Sequence, residues 1–369
     1  MTFHKLTVSL QSRSYPIYIG SGLTRTGSAV ELVPIMRGQA GVVVTNETIA
    51  SLYLEQVQKW LHDAGYTSSA IILPDGEEFK NYEVLLGLYQ DMFAAGLQRN
   101  SFVCALGGGV IGDLAGYAAA TYMRGVDLLQ IPTTILAQVD SAIGGKNGVN
   151  MEGGKNLVGT TCQPRVVISD VDFIKTLPER EVISGLGEVL KYGLLAGDNF
   201  ISFLEMNKSE ILSRDPRSLA TMIHFCSRIK ADYVVRDEYD RLGVRAALNL
   251  GHTVGHALEK MFAYKQFTHG EAVSIGSVAA LKFAHETKLL ADTAWQRALK
   301  LFSDFGLPMQ IPEEVDIDEM IEIMGRDKKA DESLSMVLLH GLGDPHLEKN
   351  IDLPNLKIVL QQCKQSQLN

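Results

Sequence analysis

The sequence predicts an α/β fold in two parts: an N-terminal domain built on a parallel sheet, then a mostly α-helical C-terminal domain. Short apolar runs rich in β-branched residues alternate with helical stretches through the first half, as strands joined by crossover helices do. Beyond Val166–Ser169, strand signals are scarce until Leu334–Leu339. A chain of 369 residues also suits two domains at roughly 100–200 residues each.

Leu6–Leu10 and Tyr15–Ile19 read as a hairpin. Gly41–Thr45 is a continuous apolar run that suits a strand buried on both faces. Ile49–Ala64 has helical periodicity and stops at Gly65. Ala70–Leu73 is the next strand, Tyr82–Ala95 the next helix, and Phe102–Leu106 the strand after it. That strand passes through Gly107-Gly108-Gly109 into a helix over Ile111–Tyr122, and Leu128–Ile131 closes the series before Pro132. In the second half, Thr176-Leu177-Pro178-Glu179 fits a capping box with proline in the first turn, opening a helix through Leu195. Asp215-Pro216 opens a helix that runs past Lys230, Asn249 is a candidate cap for Leu250–Phe262, and Glu271 to His285 is a further helix. One boundary near residue 178 divides the chain into domains 1–178 and 179–369.

Composition narrows the function. The chain is 46% hydrophobic and 21% charged, which excludes a disordered polypeptide. No apolar run approaches the ~18 residues of a membrane span, and Met1 to Gly20 lack a signal-peptide pattern. Lys plus Arg number 34 against 43 Asp plus Glu, a net charge of −9, opposite to the balance of a nucleic-acid binder. Cys104, Cys162, Cys226 and Cys363 share no C-x-x-C spacing and read as reduced thiols, with the cytoplasm as the expected compartment.

Four patterns carry chemistry. Gly107-Gly108-Gly109-Val110-Ile111-Gly112 satisfies G-x-G-x-x-G between a strand and a helix. Glycine admits a pyrophosphate close to the backbone, and the helix start supplies amide donors; the same run also serves as a plain tight turn. It follows the third strand of the series, unlike an ordinary Rossmann unit, and Asp113 behind it offers a carboxylate to a ribose or substrate hydroxyl. The segment from Gln138 to Asn150, continuing to Gly153-Gly154-Lys155-Asn156, sets Lys146 and Lys155 near Asp140 and Asn156 in glycine-rich backbone expected to be irregular. It reads either as a flexible loop or as a grip on a phosphorylated polyol, with lysine as point charge. His252 and His256 share one helix face, His269 follows, and Glu188 lies upstream with Lys191 at i+3. Two imidazoles and one carboxylate make a catalytic zinc set with open positions, while the missing His-Glu-x-x-His glutamate argues against a zinc protease. Arg124, Lys191, Lys230, Arg245, Lys328 and Lys329 stand beside these motifs and suggest an anionic small ligand, although solvated surface charge is the plainer reading of Lys328 and Lys329.

Taken together, these segments resemble the 3-dehydroquinate synthases of the sugar phosphate cyclase superfamily. The resemblance covers nearly the whole chain. It rests on Asp75-Gly76-Glu77-Glu78-Phe79-Lys80, the Gly107–Asp113 run, Ile131-Pro132-Thr133-Thr134, Asp140–Asn156, Ser184 to Gly193, Asn249 to His256, and His269-Gly270-Glu271. It implies a dehydroquinate synthase-like fold with a Rossmann-like NAD-binding sheet. It also implies conversion of 3-deoxy-D-arabino-heptulosonate 7-phosphate to 3-dehydroquinate and phosphate, in the shikimate route to chorismate and the aromatic amino acids. The implied cofactors are NAD and a divalent metal, zinc or cobalt; the implied assembly is a homodimer. By matching positions, the metal would fall to Glu188, His252 and His269. NAD contacts would fall on Asn46, on Asp75, Gly76, Glu77, Glu78, Phe79 and Lys80, and on Gly108, Gly109, Val110, Ile111, Gly112 and Asp113. Thr133, Thr134, Phe173, Ile174, Lys175 and Thr176 would complete that set, with Lys146 and Lys155 beside cofactor and substrate. The substrate would meet Asp140, Asn156, Lys191, Lys230, Arg245, Asn249 and His256. Arg124 resembles an arginine lent across a dimer interface, and Lys328 or Lys329 would complete the grip on phosphate or carboxylate.

The implied chemistry oxidises a secondary alcohol with NAD and eliminates phosphate beside the new ketone. It then re-reduces the ketone, opens the ring and closes a carbocycle by an aldol step, with the metal as Lewis acid. Departures from the pattern are local: Arg241 stands where the family has glutamate, with Asp240 beside it; one residue is added before Arg245; Asn147 replaces threonine; and Thr161-Cys162 replaces an aromatic-rich pair. The alternatives are a related sugar-phosphate cyclase, a metal- and NAD-dependent polyol dehydrogenase, and a non-catalytic nucleotide-binding protein, against which the complete metal set argues.

Overall fold

The computed structural model describes residues 3–25, 36–152, 154–326 and 334–364. The chain divides into two compact units, Met1–Leu177 with Arg214–Tyr239, and Pro178–Ser213 with Asp240–Asn369.

Strands β1 (Phe3–Val8) and β2 (Tyr15–Gly20) pair antiparallel, as the hairpin reading expects. β3 (Ala40–Asn46) leads into α1 (Glu47–Ile49), a π-helical turn over Ala50–Leu54 and α2 (Glu55–Asp63), ending at Gly65 with φ +87°. β4 (Thr67–Leu73), α3 (Tyr82–Ala94), β5 (Phe102–Gly107), α4 (Gly109–Thr121) and β6 (Asp127–Pro132) follow as predicted. β7 (Lys146–Met151) and β8 (Gly154–Thr161) pair as a separate antiparallel ribbon, and β9 (Val166–Asp170) returns to the main sheet. The order is β1-β2-β9-β6-β5-β3-β4, parallel from β2 onward.

Side chains alternate across this sheet with period two. Val42, Val44, Val103 and Ala105 join Leu85, Leu88, Ile111 and Leu114 of α3 and α4. Val43, Phe102, Cys104 and Leu106 join Trp60 and Leu61 of α2. Both faces are covered, which is why these strands read as unbroken apolar runs.

The second unit begins with α5 (Glu179–Ala196), α6 (Asp198–Met206) and α7 (Lys208–Leu212). The chain then returns to the first unit as α8 (Pro216–Arg236), capped by Asp215, whose carboxylate accepts from the amides of Arg217 and Ser218. A single boundary at 178 assigns this helix to the second half; the chain instead crosses three times. α9 (His252–Met261), α10 (His269–Glu286), α11 (Asp292–Asp304), α12 (Ile317–Arg326), the pair β10 (Met336–Gly341) and β11 (Asp344–Glu348), and α13 (Leu353–Lys364) complete the second unit.

Three local expectations are corrected. The Asp140–Asn156 backbone is not irregular: its second half forms the β7–β8 ribbon. Gly148 faces Gly159, and a Cβ on Gly159 would lie 2.1 Å from the Asn147 carbonyl oxygen, so the glycines permit close strand pairing. Thr176 does not cap α5; Pro178 occupies the cap without a side-chain bond, while Thr176 Oγ1 lies 2.5 Å from the Tyr53 hydroxyl. Asn249 does not cap α9; it ends a 3-10 turn over Val244–Asn249, and Gly251, at φ +79°, precedes the helix.

Candidate active site

In the first unit, β4 and β5 lie on opposite sides of β3, so the strand order reverses between β3 and β5. Open α/β sheets bind ligands beyond the carboxyl ends of strands at such a reversal. Asn46 ends β3 and Gly107 ends β5. This accounts for a glycine motif after the third strand rather than the first.

The residues around that point are tied to one another. Asn46 caps α1 through Oδ1, which accepts from the Ile49 amide at 2.9 Å, and donates through Nδ2 to Asp75 at 2.7 Å. Thr48 donates to the other Asp75 oxygen at 2.8 Å. Gly76, at φ +135°, turns the chain into a 3-10 turn over Glu77–Phe79. Buried Lys80 then sets its ammonium 2.5 Å from Asp113 and 2.6 Å from Asn156 Oδ1. Burial pushes the Asp113 carboxyl up, and Lys80 pulls it back. Asn150 donates to Glu77 at 2.8 Å, linking the ribbon to this turn.

α4 starts at Gly109, so the amides of Gly109, Val110 and Ile111 open the helix and Gly112 N makes its bond to Gly108 O. A Cβ on Gly107 would lie 2.7 Å from Ile111 Cβ, so this turn needs glycine for packing as well. Thr133 donates its amide to Gly107 O at 3.0 Å, and its buried Oγ1 has no hydrogen-bond partner among the described residues. A buried hydroxyl and free helix amides fit the phosphates and ribose of a dinucleotide. Thr134 Oγ1 accepts from Ala137 N. Phe173, Ile174, Lys175 and Thr176 lie in a 3-10 helix, Val171–Thr176, whose Ile174 and Lys175 carbonyls accept from Arg214.

Lys230, on α8, is buried with its ammonium 2.8 Å from the Asp140 carboxylate and 2.6 Å from the Asp140 carbonyl. Two positions 90 residues apart thus meet. Lys146 opens β7 and is exposed; Lys155 is half-buried and Asn156 exposed on β8, the latter at φ +55°. Asn147, a departure from the family pattern, donates to Gly145 O at 2.7 Å and Cys162 O at 3.2 Å and so fastens the ribbon. Arg124 is exposed after α4, at φ +68°, beside Arg37 and Arg165 in a shallow groove.

The second unit brings together the three residues that the resemblance offers to a metal. Glu188 on α5 is buried, His252 opens α9 and His269 opens α10. Each histidine Nε2 lies 3.4 Å from Glu188 Oε1. The donor atoms of the three residues all lie within 4.8 Å of one another. The opposite ring nitrogens are held in place: His252 Nδ1 is 3.1 Å from the Leu250 carbonyl, and His269 Nδ1 is 3.3 Å from Glu259 Oε2. Both rings therefore present Nε2 to one point, and a carboxylate with two imidazoles suits a divalent cation with positions left for substrate. Burial, reinforced by Lys191, pushes His252 down to about 3 and keeps it neutral, the ligating form. Burial opposes charge on His269 too, but hydrogen bonds to Glu188 and Glu259 raise it to about 10, so a cation would displace a proton there.

Glycines explain the convergence. Gly187, Gly251 and Gly270 each flank one of the three residues. A Cβ on Gly187 would lie 2.3 Å from Gly270 O, one on Gly270 1.7 Å from Ser184 O, and one on Gly276 2.0 Å from Gly251 O. α5, α9 and α10 thus touch backbone to backbone beside each of these three residues. The start of α10 is fixed by a capping box between Thr268 and Glu271, with Arg180 bonded to Glu271 through two nitrogens.

Lys191 is buried with its ammonium 2.5 Å from Glu188 Oε2 and 4.7 Å from the Tyr192 ring centre. His256 is exposed one turn beyond His252, their rings 5.2 Å apart. Arg245 is buried and Asn249 exposed on the 3-10 turn before Gly251. Lys328 and Lys329 lie outside the described residues. Sequence reasoning missed Glu259; its signal was an acid seven residues after His252, on the same face of α9.

A profile of the "3-dehydroquinate synthase N-terminal" family matches residues 70–184, and one of "3-dehydroquinate synthase C-terminal" matches 185–330. The chain is 45% identical over 357 residues to the 3-dehydroquinate synthase of Nitrosococcus oceani, covering 96% of this chain and 98% of that protein. The chain belongs to the 3-dehydroquinate synthase family. Among solved structures, a 2-deoxy-scyllo-inosose synthase with carbaglucose-6-phosphate, NAD+ and Co2+ aligns at TM-score 0.88 and 26% identity, covering 98% of this chain and 100% of that one. The 2-epi-5-epi-valiolone synthase of Streptomyces hygroscopicus subsp. jinggangensis 5008, with NAD+ and Zn2+, aligns at 0.87 and 27%, covering 96% and 98%. The dehydroquinate synthase-like fold is thus the one expected, and the two family profiles meet inside α5, four residues before Glu188.

Proposed function

We propose that the protein is a 3-dehydroquinate synthase, a carbon–oxygen lyase that converts 3-deoxy-D-arabino-heptulosonate 7-phosphate to 3-dehydroquinate and phosphate. The observation that carries this is 45% identity over nearly the whole chain to a 3-dehydroquinate synthase, against 26–27% to cyclases of other names on the same fold. NAD and a divalent zinc or cobalt ion are its cofactors. When bound, they would supply reversible hydride removal and a Lewis acid for the substrate hydroxyls and the transient ketone.

The chain's own residues do the rest. Glu188, His252 and His269 would hold the cation, and Lys191 beside Glu188 adds a fixed positive charge for substrate oxygens. Asp75, the Gly107–Asp113 turn, Thr133, Thr134 and the Phe173–Thr176 segment would hold the dinucleotide. The tie between Asp140 and Lys230 fixes the two side chains against each other, and both would meet substrate hydroxyls. Lys146, Lys155, Asn156, Arg245, Asn249 and His256 would bind phosphate, carboxylate and hydroxyls, lysine acting as a point charge and arginine as a fork. The substrate's own phosphate serves as the base for the acidified C–H, so the protein's contribution is orientation and electrostatics. The reading extends to a cytoplasmic homodimer; exposed Arg124 and the four free cysteines support it.

The test is turnover of three candidate substrates: the heptulosonate phosphate, sedoheptulose 7-phosphate and glucose 6-phosphate. Cyclisation of the first alone is expected. Activity confined to a neutral sugar phosphate would overturn the assignment.

A further inference from the structure

Glu259 is a buried carboxylate, 3% exposed, that the reaction just described does not use. It lies two turns after His252 on α9, and its Oε2 is 3.3 Å from His269 Nδ1. The two histidines of the metal set are therefore held unequally. His252 Nδ1 meets the neutral carbonyl of Leu250, whereas His269 Nδ1 meets a full negative charge. A carboxylate behind an imidazole fixes the ring's tautomer and raises the basicity of its far nitrogen. It also sets the ring plane, because α9 and α10 are locked together at Gly255, whose Cβ would lie 3.0 Å from Ala272 O.

We propose that Glu259 is a positioning residue for the metal. It retains the proton on His269 Nδ1, turns Nε2 toward Glu188 and makes His269 the stronger of the two imidazole donors. The proposal rests on the ligand reading of Glu188, His252 and His269. A second donor set, His256, Glu259 and His269, also brings its atoms within 4.8 Å of one another, and in that set Glu259 would be a ligand itself. The geometry favours positioning, because both His252 Nε2 and His269 Nε2 face Glu188, and Glu259 faces the opposite nitrogen.

The experiment is titration of metal-free enzyme with Co2+ alone, reading affinity, stoichiometry and the visible d–d spectrum in wild type, Glu259→Gln, Glu259→Asp and His252→Ala. Wild type should bind one Co2+. Glu259→Gln, which keeps an acceptor but loses the charge, should bind one Co2+ roughly 10–100-fold more weakly with shifted bands. Glu259→Asp should recover part of the affinity. Wild-type affinity and spectrum in Glu259→Gln overturn the proposal. Two ions per wild-type chain falling to one in Glu259→Gln also overturn it, by making Glu259 a ligand. Equal Co2+ binding by wild type and His252→Ala overturns the ligand reading and the proposal with it. A measurement on unmutated protein stands beside these: the histidine 15N spectrum of zinc-loaded wild type should show His269 with Nδ1 protonated and Nε2 metal-bound, and the reverse assignment overturns the proposal.

Discussion

Replacing Gly270 by alanine leaves every proposed ligand chemically intact and adds one methyl group where α5 and α10 touch. That Cβ would lie 1.7 Å from the Ser184 carbonyl oxygen, and real Cβ atoms keep about 3.0 Å. Both neighbours are backbone, so no side chain can swing aside. The two helices must separate by roughly 1.3 Å, well beyond the ~0.2 Å over which metal–ligand distances hold. His269 is the residue before Gly270, and Glu188 lies one turn after Ser184, so the displacement falls on the 3.4 Å contact between Glu188 Oε1 and His269 Nε2. We expect cobalt or zinc affinity to fall at least ~100-fold, about 2.7 kcal/mol. Overpacking of this kind should also lower stability by about 1–3 kcal/mol. The assay is a competition titration of metal-free protein against a chromophoric chelator, with urea unfolding alongside. Gly87→Ala on α3 is the control, since nothing lies within 4 Å of its added Cβ; it should be neutral or stabilising by up to ~1 kcal/mol. Metal affinity of Gly270→Ala within threefold of wild type would refute the argument that backbone contact sets the ligand geometry.

Other outcomes follow from the same structure. His252→Ala should abolish bound metal and activity while the seven-stranded sheet stays folded; normal metal content with turnover would remove His252 from the ligand set. Lys146→Ala, at an exposed site, should weaken binding of the anionic substrate while shifting the urea midpoint little, and unchanged KM and kcat would deny it that role. Burial opposes the Glu271 charge, but Arg180 and Thr268 hold its carboxyl below the usual 4.5, so its stabilisation is present above that pH and lost as pH falls through the lowered value. Glu271→Gln keeps the cap but loses the ion pair to half-exposed Arg180, so it should cost up to about 1 kcal/mol at neutral pH, with the gap from wild type closing in acid. An equal gap at pH 7 and in strong acid would contradict that sign.

Much of this architecture is legible in the chain, for identifiable reasons. Strands buried on both faces leave unbroken runs such as Gly41–Thr45, which become β3. The Asp215-Pro216 start of α8 is a short-range signal, and it holds. Glycine misleads where its reason is packing. Gly148 and Gly159 pair across β7 and β8, but in composition they resemble a loop. The cap expected of Thr176 fails because its hydroxyl is engaged by Tyr53, a contact made across the fold. The helical spacing of His252 and His256 is real, yet the ring that joins His252 at Glu188 is His269, from the next helix. Spacing along one helix cannot show where a second helix crosses it; glycines beside each proposed ligand hint at the crossing only once the helices are known to meet. Lys230 beside Asp140 is likewise invisible until α8 returns to the first unit.

The most direct test of the account is simultaneous measurement of phosphate release and of absorbance at the NADH band, with enzyme, NAD, metal and the heptulosonate phosphate. One phosphate per substrate, no net gain of NADH, and loss of turnover on chelation are expected. Steady accumulation of NADH without phosphate, as a polyol dehydrogenase would give, or full turnover after the metal is removed, would contradict it.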